Sequence, residues 1–322
     1  MSYKKLTVII LLIMVFTGFG QEKVIYLQNE WIKAGFLPDV GGRMVYLSPV
    51  GSENFLLSDS SLWNEPQSGR IIPEPSSPFK PYNGFITWVG PQSGWWKQQN
   101  ILPEKRDNAD MWPPDPYLIY SSFKVIEHTS HLLILEGSES PVSGIKMVKR
   151  YELNDSSISI DVAAINVRNE AVAWDLWSNA RFDAFTMFRV PVENPDLVKI
   201  KSEENSLFEM VKHQIDDGSF SFLPEYPSDE NKKRVSKAFI YPARGEMLVS
   251  KGAWNLTINF DLVPKVFIHP EQGMVEVYNC ISFSEPSCIL ELEHHSAYKT
   301  LRPGEQMSLK EVWTFGIARQ EY

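Results

Sequence analysis

From residue 24 onward the chain is a succession of short runs in which apolar and polar residues alternate, and no long stretch repeats at helical period. Residues 24–27, 44–47, 118–126, 132–135, 158–165 and 254–262 are rich in β-branched and aromatic side chains. Between the runs lie Gly41-Gly42, Asn154-Asp155, Asn169-Glu170 and Asp216-Asp217-Gly218, residues whose backbone or side chain favours a turn. Residues 202–213 supply at most one short helix. Many closely spaced strands without helical crossovers predict an all-β antiparallel sandwich. No Gly/Ser tract or charge block divides the chain, so residues 21–322 read as a single domain.

The first 20 residues read as a targeting segment. Lys4 and Lys5 precede an apolar segment of 11 residues (6–16), and Gly18-Phe19-Gly20 forms a small-x-small cleavage site. Spanning a bilayer takes about 20 apolar residues, so this run is too short. No cysteine follows it to carry a lipid. The mature chain is therefore expected to be periplasmic or secreted, without a membrane anchor. Loss of Lys4 and Lys5 takes the formal charge from −9 to −9 − 2 = −11. That acidity argues against nucleic acid or anionic lipid as a partner.

Residues 88–116 break the pattern, packing four of the ten tryptophans and five prolines into 29 positions. Pro91, Pro103, Pro113, Pro114 and Pro116 remove backbone donors, so most of the stretch must be an ordered loop. Disordered segments are poor in aromatics, whereas Trp88, Trp95, Trp96 and Trp112 carry a large apolar surface. One reading makes these rings a satellite core. The other makes them a platform for the apolar face of a sugar, with Gln92, Gln98, Gln99, Asn100 and Asp115 reading its hydroxyls.

Near the C-terminus, CILELEHH carries the densest chemistry. Alternation sets Cys288, Leu290, Leu292 and His294 on one face and Ile289, Glu291, Glu293 and His295 on the other. Carboxylates at i and i+2 repel, which raises one pKa toward neutrality and suits general acid–base work beside His295. A solvated outer face is the plain alternative. Cys280 and Cys288 flank a plausible hairpin turn. Either a local disulfide or two buried thiols fits that spacing. No metal or cofactor is expected, because no ligand set has the required spacing.

Several motifs together resemble the galactose-mutarotase-like superfamily. They are Gly41-Gly42-Arg43 leading into an alternating strand, ENFLL from Glu53, GMVEVYN, and the terminal ELE followed by LRPGE. The W..PQS.W motif followed by WPPDP is similar to an uncharacterised exported bacterial family within it. The resemblance spans about residues 24–317 and implies a β-supersandwich whose concave face binds carbohydrate. It further implies a late-strand glutamate acting as base on the anomeric hydroxyl, a place Glu291 or Glu293 fits. The histidine expected on a central strand falls on WSNARF, where Ala180 stands beside Asn179 and Arg181. With no histidine there, simple mutarotation gives way to other proton-transfer chemistry, epimerisation or elimination, assisted by His295 or His269. Arg181, with Arg43, suits a uronate better than a neutral hexose. A salt bridge from Arg181 to Asp183 or Asp175 is the plain alternative. Trp174 and Trp177 fall on opposite phases of one run, which places one in the core and the other in the cleft. A non-catalytic carbohydrate-binding module and a structural β-sandwich are the competing functional readings.

Overall fold

The structure is a computed structural model that describes residues 24–64, 69–202, 204–285 and 287–318. The expected targeting segment lies outside the described residues. Two large sheets pack face to face. The first contains, in spatial order, β1 (Ile25–Gln28), β2 (Ile32–Leu37), β3 (Arg43–Pro49), β4 (Phe85–Gly90), β9 (Val172–Asp183), β19 (Ile289–His295), β18 (Val275–Ile281), β15 (Lys233–Ile240) and β11 (Val198–Ser202). Two short strands join it, β12 (Phe208–Glu209) beside β15 and β20 (Lys299–Leu301) beside β9. The second runs β13 (Lys212–Asp216), β14 (Ser219–Leu223), β10 (Met187–Pro191), β16 (Glu246–Lys251), β17 (Trp254–Phe260), β21 (Gln306–Ile317), β8 (Ser157–Asn166), β7 (Ile145–Asn154), β6 (Leu132–Glu136) and β5 (Lys124–His128). Short β12 pairs parallel with β15, while the long neighbours pair antiparallel. This is the antiparallel β-sandwich predicted from the alternation.

One local expectation fails for an identifiable reason. Residues 118–126 are not one strand, because Asp115 accepts the Tyr117 N–H and Pro116 occupies the first helical position, starting helix α3 (Pro116–Tyr120) ahead of β5. The sequence allows at most one short helix over residues 202–213, and the described ones among them form none. The Asn205 side chain accepts the N–H groups of Leu207 and Phe208 and so turns the chain into β12. Within the Trp/Pro stretch only α2 (Pro103–Asp107) and a single 3-10 turn (Gln92–Gly94) interrupt the loop before α3; α1 (Ser60–Trp63) lies earlier in the chain.

The second sheet buries alternate residues cleanly, as along β7 and β8. The first sheet is buried on both faces at β9. One of these faces meets the second sheet: Phe85 packs edge-on against Trp313 with ring centres 5.0 Å apart, and Trp174 Nε1 donates to the Ser143 carbonyl. Glu311 of β21 is buried in that interface, and three donors satisfy it. Ser178 Oγ lies 2.5 Å and His294 Nδ1 3.0 Å from its Oε1, and Trp313 Nε1 lies 2.7 Å from its Oε2. His294 is thereby a core residue, stacked on Phe260. The disulfide Cys280–Cys288 closes the loop between β18 and β19, which excludes the free-thiol alternative.

The Gly41-Gly42 turn shows why two glycines precede Arg43. Both adopt positive φ (70° and 57°), and a Cβ on Gly41 would sit 2.6 Å from the Ile119 carbonyl oxygen. Their carbonyls accept hydrogen bonds from the second sheet, from Lys149 Nζ at 2.7 Å and the Tyr151 hydroxyl at 3.2 Å. Burial, aided by the nearby Arg43 charge, lowers the Lys149 pKa to about 7. A pKa depressed on folding adds stability at pH above the unfolded value and loses it as pH falls through about 7. Lys149→Met should therefore cost about 1–3 kcal/mol by leaving the Gly41 carbonyl without its donor. The wild-type advantage should widen between pH 7 and 10 in urea titrations.

Candidate functional site

The other face of the first sheet, turned away from the second, gathers the polar chemistry. Register decides its membership. β19 pairs with β9 so that Glu291 opposes Arg181, Glu293 opposes Asn179 and His295 opposes Trp177. On its other side β19 meets β18 with Glu293 opposite Glu276 and Glu291 opposite Tyr278, and β15 then sets Lys237 opposite Tyr278. Because side chains alternate, all of these share one face. Glu291 and Glu293 are both on it, about 7 Å apart by strand rise.

Glu291 is the more accessible carboxylate, with 13 % of its side chain exposed, and it forms a 2.8 Å ion pair with Arg181 Nε. That pairing replaces the bridge to Asp175 or Asp183. The Arg181 guanidinium lies between the rings of Phe79 and Trp88, 5.5 Å from each centre, and reaches the Asn83 side chain at 3.1 Å. Glu293 is buried. Asn179 Nδ2 approaches it at 2.9 Å, and Lys237 Nζ bridges it to Glu276 at 2.8 and 2.6 Å. Burial pushes the Glu293 pKa up to about 8 despite the attraction of Lys237, with Glu291 and Glu276 adding to the rise. Burial alone would depress Lys237, but the two carboxylates hold it above the ordinary ammonium range.

His295 is fully enclosed. Its Nδ1 lies 2.9 Å from Asp175 Oδ1, and its Nε2 lies 3.5 Å from Glu276. Burial opposes its protonation, yet Glu276, Asp175 and Glu293 together raise its pKa above the usual imidazole value. Lys237 and His295 thus share the three carboxyl groups of Glu276, Glu293 and Asp175, and of these it is Glu293 that burial drives toward its protonated form. Gly90 makes the packing possible. A Cβ there would sit 2.3 Å from Gln272 Nε2 and 2.7 Å from both Asp175 oxygens.

The tryptophans divide between the two readings. Trp177, in the phase opposite to core-facing Trp174, packs on His295 (5.0 Å), under Lys237 (4.8 Å), and against Trp88 and Trp95 (5.3 and 5.8 Å). Trp95 is buried and donates to the Val89 carbonyl, so it backs Trp88, Trp112 and Trp177 and presents no open face itself. Trp112 is 49 % exposed and rests on Phe79 (4.8 Å) and Trp95 (6.3 Å), the one loop tryptophan with an open face.

Other expected ligand-readers lie elsewhere. Trp96 is buried, donates to the Pro113 carbonyl and lies beneath Lys105. Gln99 bonds to backbone of its own loop, and Gln92 ties the loop together through the Met111 carbonyl. Asp115, the helix cap, is buried and also accepts from the Ser140 hydroxyl and the Ser143 N–H. Arg43 is buried, donating to the Asn83 and Ile119 carbonyls, and burial with the Arg181 charge lowers its pKa to about 9. His269 lines a neighbouring cavity of about 400 Å³ with Phe239 and Gln272 and packs edge-on against Tyr298. Ala180 belongs to the core between the sheets, so a histidine there would not reach the outer face. On that face β9 presents Asp175, Trp177, Asn179 and Arg181, and the nearby imidazole comes from β19 instead.

Sequence reasoning missed Lys237, Glu276, Tyr278 and Asp175. Glu276 and Tyr278 alternate within GMVEVYN, a run already notable, but which strand they face depends on pairing between distant segments.

The architecture is that of galactose-mutarotase-like proteins. The Slr1438 protein from Synechocystis sp. PCC 6803 matches with a TM-score of 0.56 at 10% identity, over 92% of this chain and 96% of that one. A galactose mutarotase-like protein from Lactobacillus casei ATCC 334 gives 0.55 at 10% identity over 91% and 100%. A galactose mutarotase related enzyme from Lactobacillus acidophilus gives 0.52 at 10% over 91% and 97%. No curated protein matches the sequence. Identities this low bear on the fold alone, whereas the family model described as "Domain of unknown function (DUF4380)" matches residues 23–316, and the chain belongs to that family.

Proposed function

We propose that the outer face of the first sheet binds an acidic carbohydrate and transfers a proton to or from it, in an exported protein. The carrying observation is the pair of carboxyl groups in unlike settings on one strand: Glu291 salt-bridged at the surface and Glu293 buried with its pKa raised to about 8. Such separation of environments is how one site holds a base and an acid together. In this reading the sugar stacks on Trp112, its carboxylate approaches Arg181, and Glu291 removes the proton. Glu293 supplies a proton through the Lys237 and Tyr278 side of the site. The Tyr278 hydroxyl, pushed up to about 12 by burial and by Glu291, stays protonated and can donate a hydrogen bond to the substrate. Epimerisation and elimination both begin with such a transfer. The Cys280–Cys288 disulfide favours an oxidising compartment and so supports export. Burial of Glu293 favours a second reading, a module that binds the sugar without turning it over.

Glu291→Gln should lower turnover by on the order of 100-fold or more while sugar binding, followed by tryptophan fluorescence, persists. The assay is NMR of anomeric exchange and of new unsaturated signals across neutral and uronic sugars. Binding without turnover by the wild type selects the module.

A protonated Glu293 is lost as pH rises through about 8, so wild-type activity should fall there, and Glu293→Gln, which has no proton to supply, should lose most activity and show no alkaline limb in what remains. Trp112→Ala should weaken binding roughly tenfold and Trp95→Ala should cost about 3–5 kcal/mol of stability, because only the second ring is buried.

A further inference from the structure

Beyond Lys237 the same face continues onto β11, the edge strand, where Lys199 and Lys201 point outward. Register sets Lys201 directly opposite Lys237 and Lys199 opposite Phe239. Like charges across a strand pair destabilise a sheet. Lysines on an edge strand also guard it against pairing with other chains, but guarding does not require one to stand opposite a lysine already on the neighbouring strand.

A cavity of about 790 Å³ opens at this place, lined by Lys201, Lys233, Lys237, Tyr278 and Phe208 among others. It shares Lys237 and Tyr278 with the site around Glu291. Not all the positive charge is free: Lys233 meets Glu285 at 2.5 Å, and Lys237 serves Glu276 and Glu293. Lys201 is exposed and packs over Phe239 at 4.6 Å, and Lys199 is exposed beside it. A concentration of lysine on one face stands out in a chain whose formal charge is −9.

The row runs Arg181, Glu291, Tyr278, Lys237, Lys201 across five adjacent strands. Four strand spacings make it about 19 Å long. A single pyranose is far shorter than that. We propose that this row is a groove for an acidic oligosaccharide lying across the strands, with one anionic group at Arg181 and another, further along the same ligand, at Lys201 and its neighbour Lys199. The inference rests on the carbohydrate reading above and extends it from one sugar unit to a chain of several. Carboxylate and sulfate groups share the required chemistry.

The test is calorimetric titration of the full chain with galacturonate, tetragalacturonate, the methyl-esterified tetramer and a sulfated tetrasaccharide, at 50 and 300 mM salt. The acidic tetramer should bind at least tenfold more tightly than the monomer and weaken at the higher salt, and the esterified tetramer should bind no better than the monomer. Preference for the sulfated over the uronate tetramer, or the reverse, identifies the anion. Lys201→Glu, a change at an exposed position, should remove most of the tetramer's advantage and leave monomer affinity unchanged. Equal affinity for monomer and tetramer, or an unaltered tetramer affinity in Lys201→Glu, overturns the groove while leaving the single-sugar site intact. Equal binding of polyglutamate overturns it in favour of an acidic peptide partner. No binding of any sugar removes the carbohydrate reading and the groove with it.

Discussion

One ammonium group allows the outer face of the first sheet to exist in this form. Glu276 and Glu293 oppose each other across β18 and β19, both buried, so desolvation opposes a charge on either and repulsion opposes a charge on both. Lys237 bridges them from the next strand. A buried carboxylate without a partner costs roughly several kcal/mol, so this contact governs whether β19 can present Glu291 at the surface with Glu293 beneath. His295 and Asp175 extend the same balance inward.

The tryptophan loop acts on this charged layer from the side. Trp88 and Phe79 each lie 5.5 Å from the Arg181 guanidinium, and Trp95 stacks on Trp177, which packs on His295. Much of the loop's aromatic surface thus supports the electrostatic group, leaving Trp112 as the open ring. Core packing and sugar platform, set against each other by composition, are shared out along one segment.

What could be read from the sequence follows from the range of each signal. Period-2 alternation is local, so the β class and the division of CILELEHH into a core face and a chemical face were legible. The phases of Trp174 and Trp177 followed from the same rule. Pairing between distant strands leaves no comparable trace. Lys237 and Glu276 are therefore not marked by the sequence around Glu291 and Glu293, and the resemblance that sets Ala180 in the histidine's place does not say that this position faces the core. Asp115 shows a different limit: an Asp-Pro pair beside aromatic residues reads equally as a sugar contact or a helix cap, and only the hydrogen bonds to Tyr117, Ser140 and Ser143 distinguish them.

The Cys280–Cys288 disulfide bears on that chemical face as well as on the compartment. It ties the end of β18 to the start of β19 across the connecting loop. A slip of one residue between these strands would turn Leu290 and Leu292 outward and send both glutamates toward the core. A covalent tie beside the first paired residues restricts that slip. The sulfur bridge thus serves as a register pin, keeping Glu291 and Glu293 on the face turned away from the second sheet each time the sheet closes.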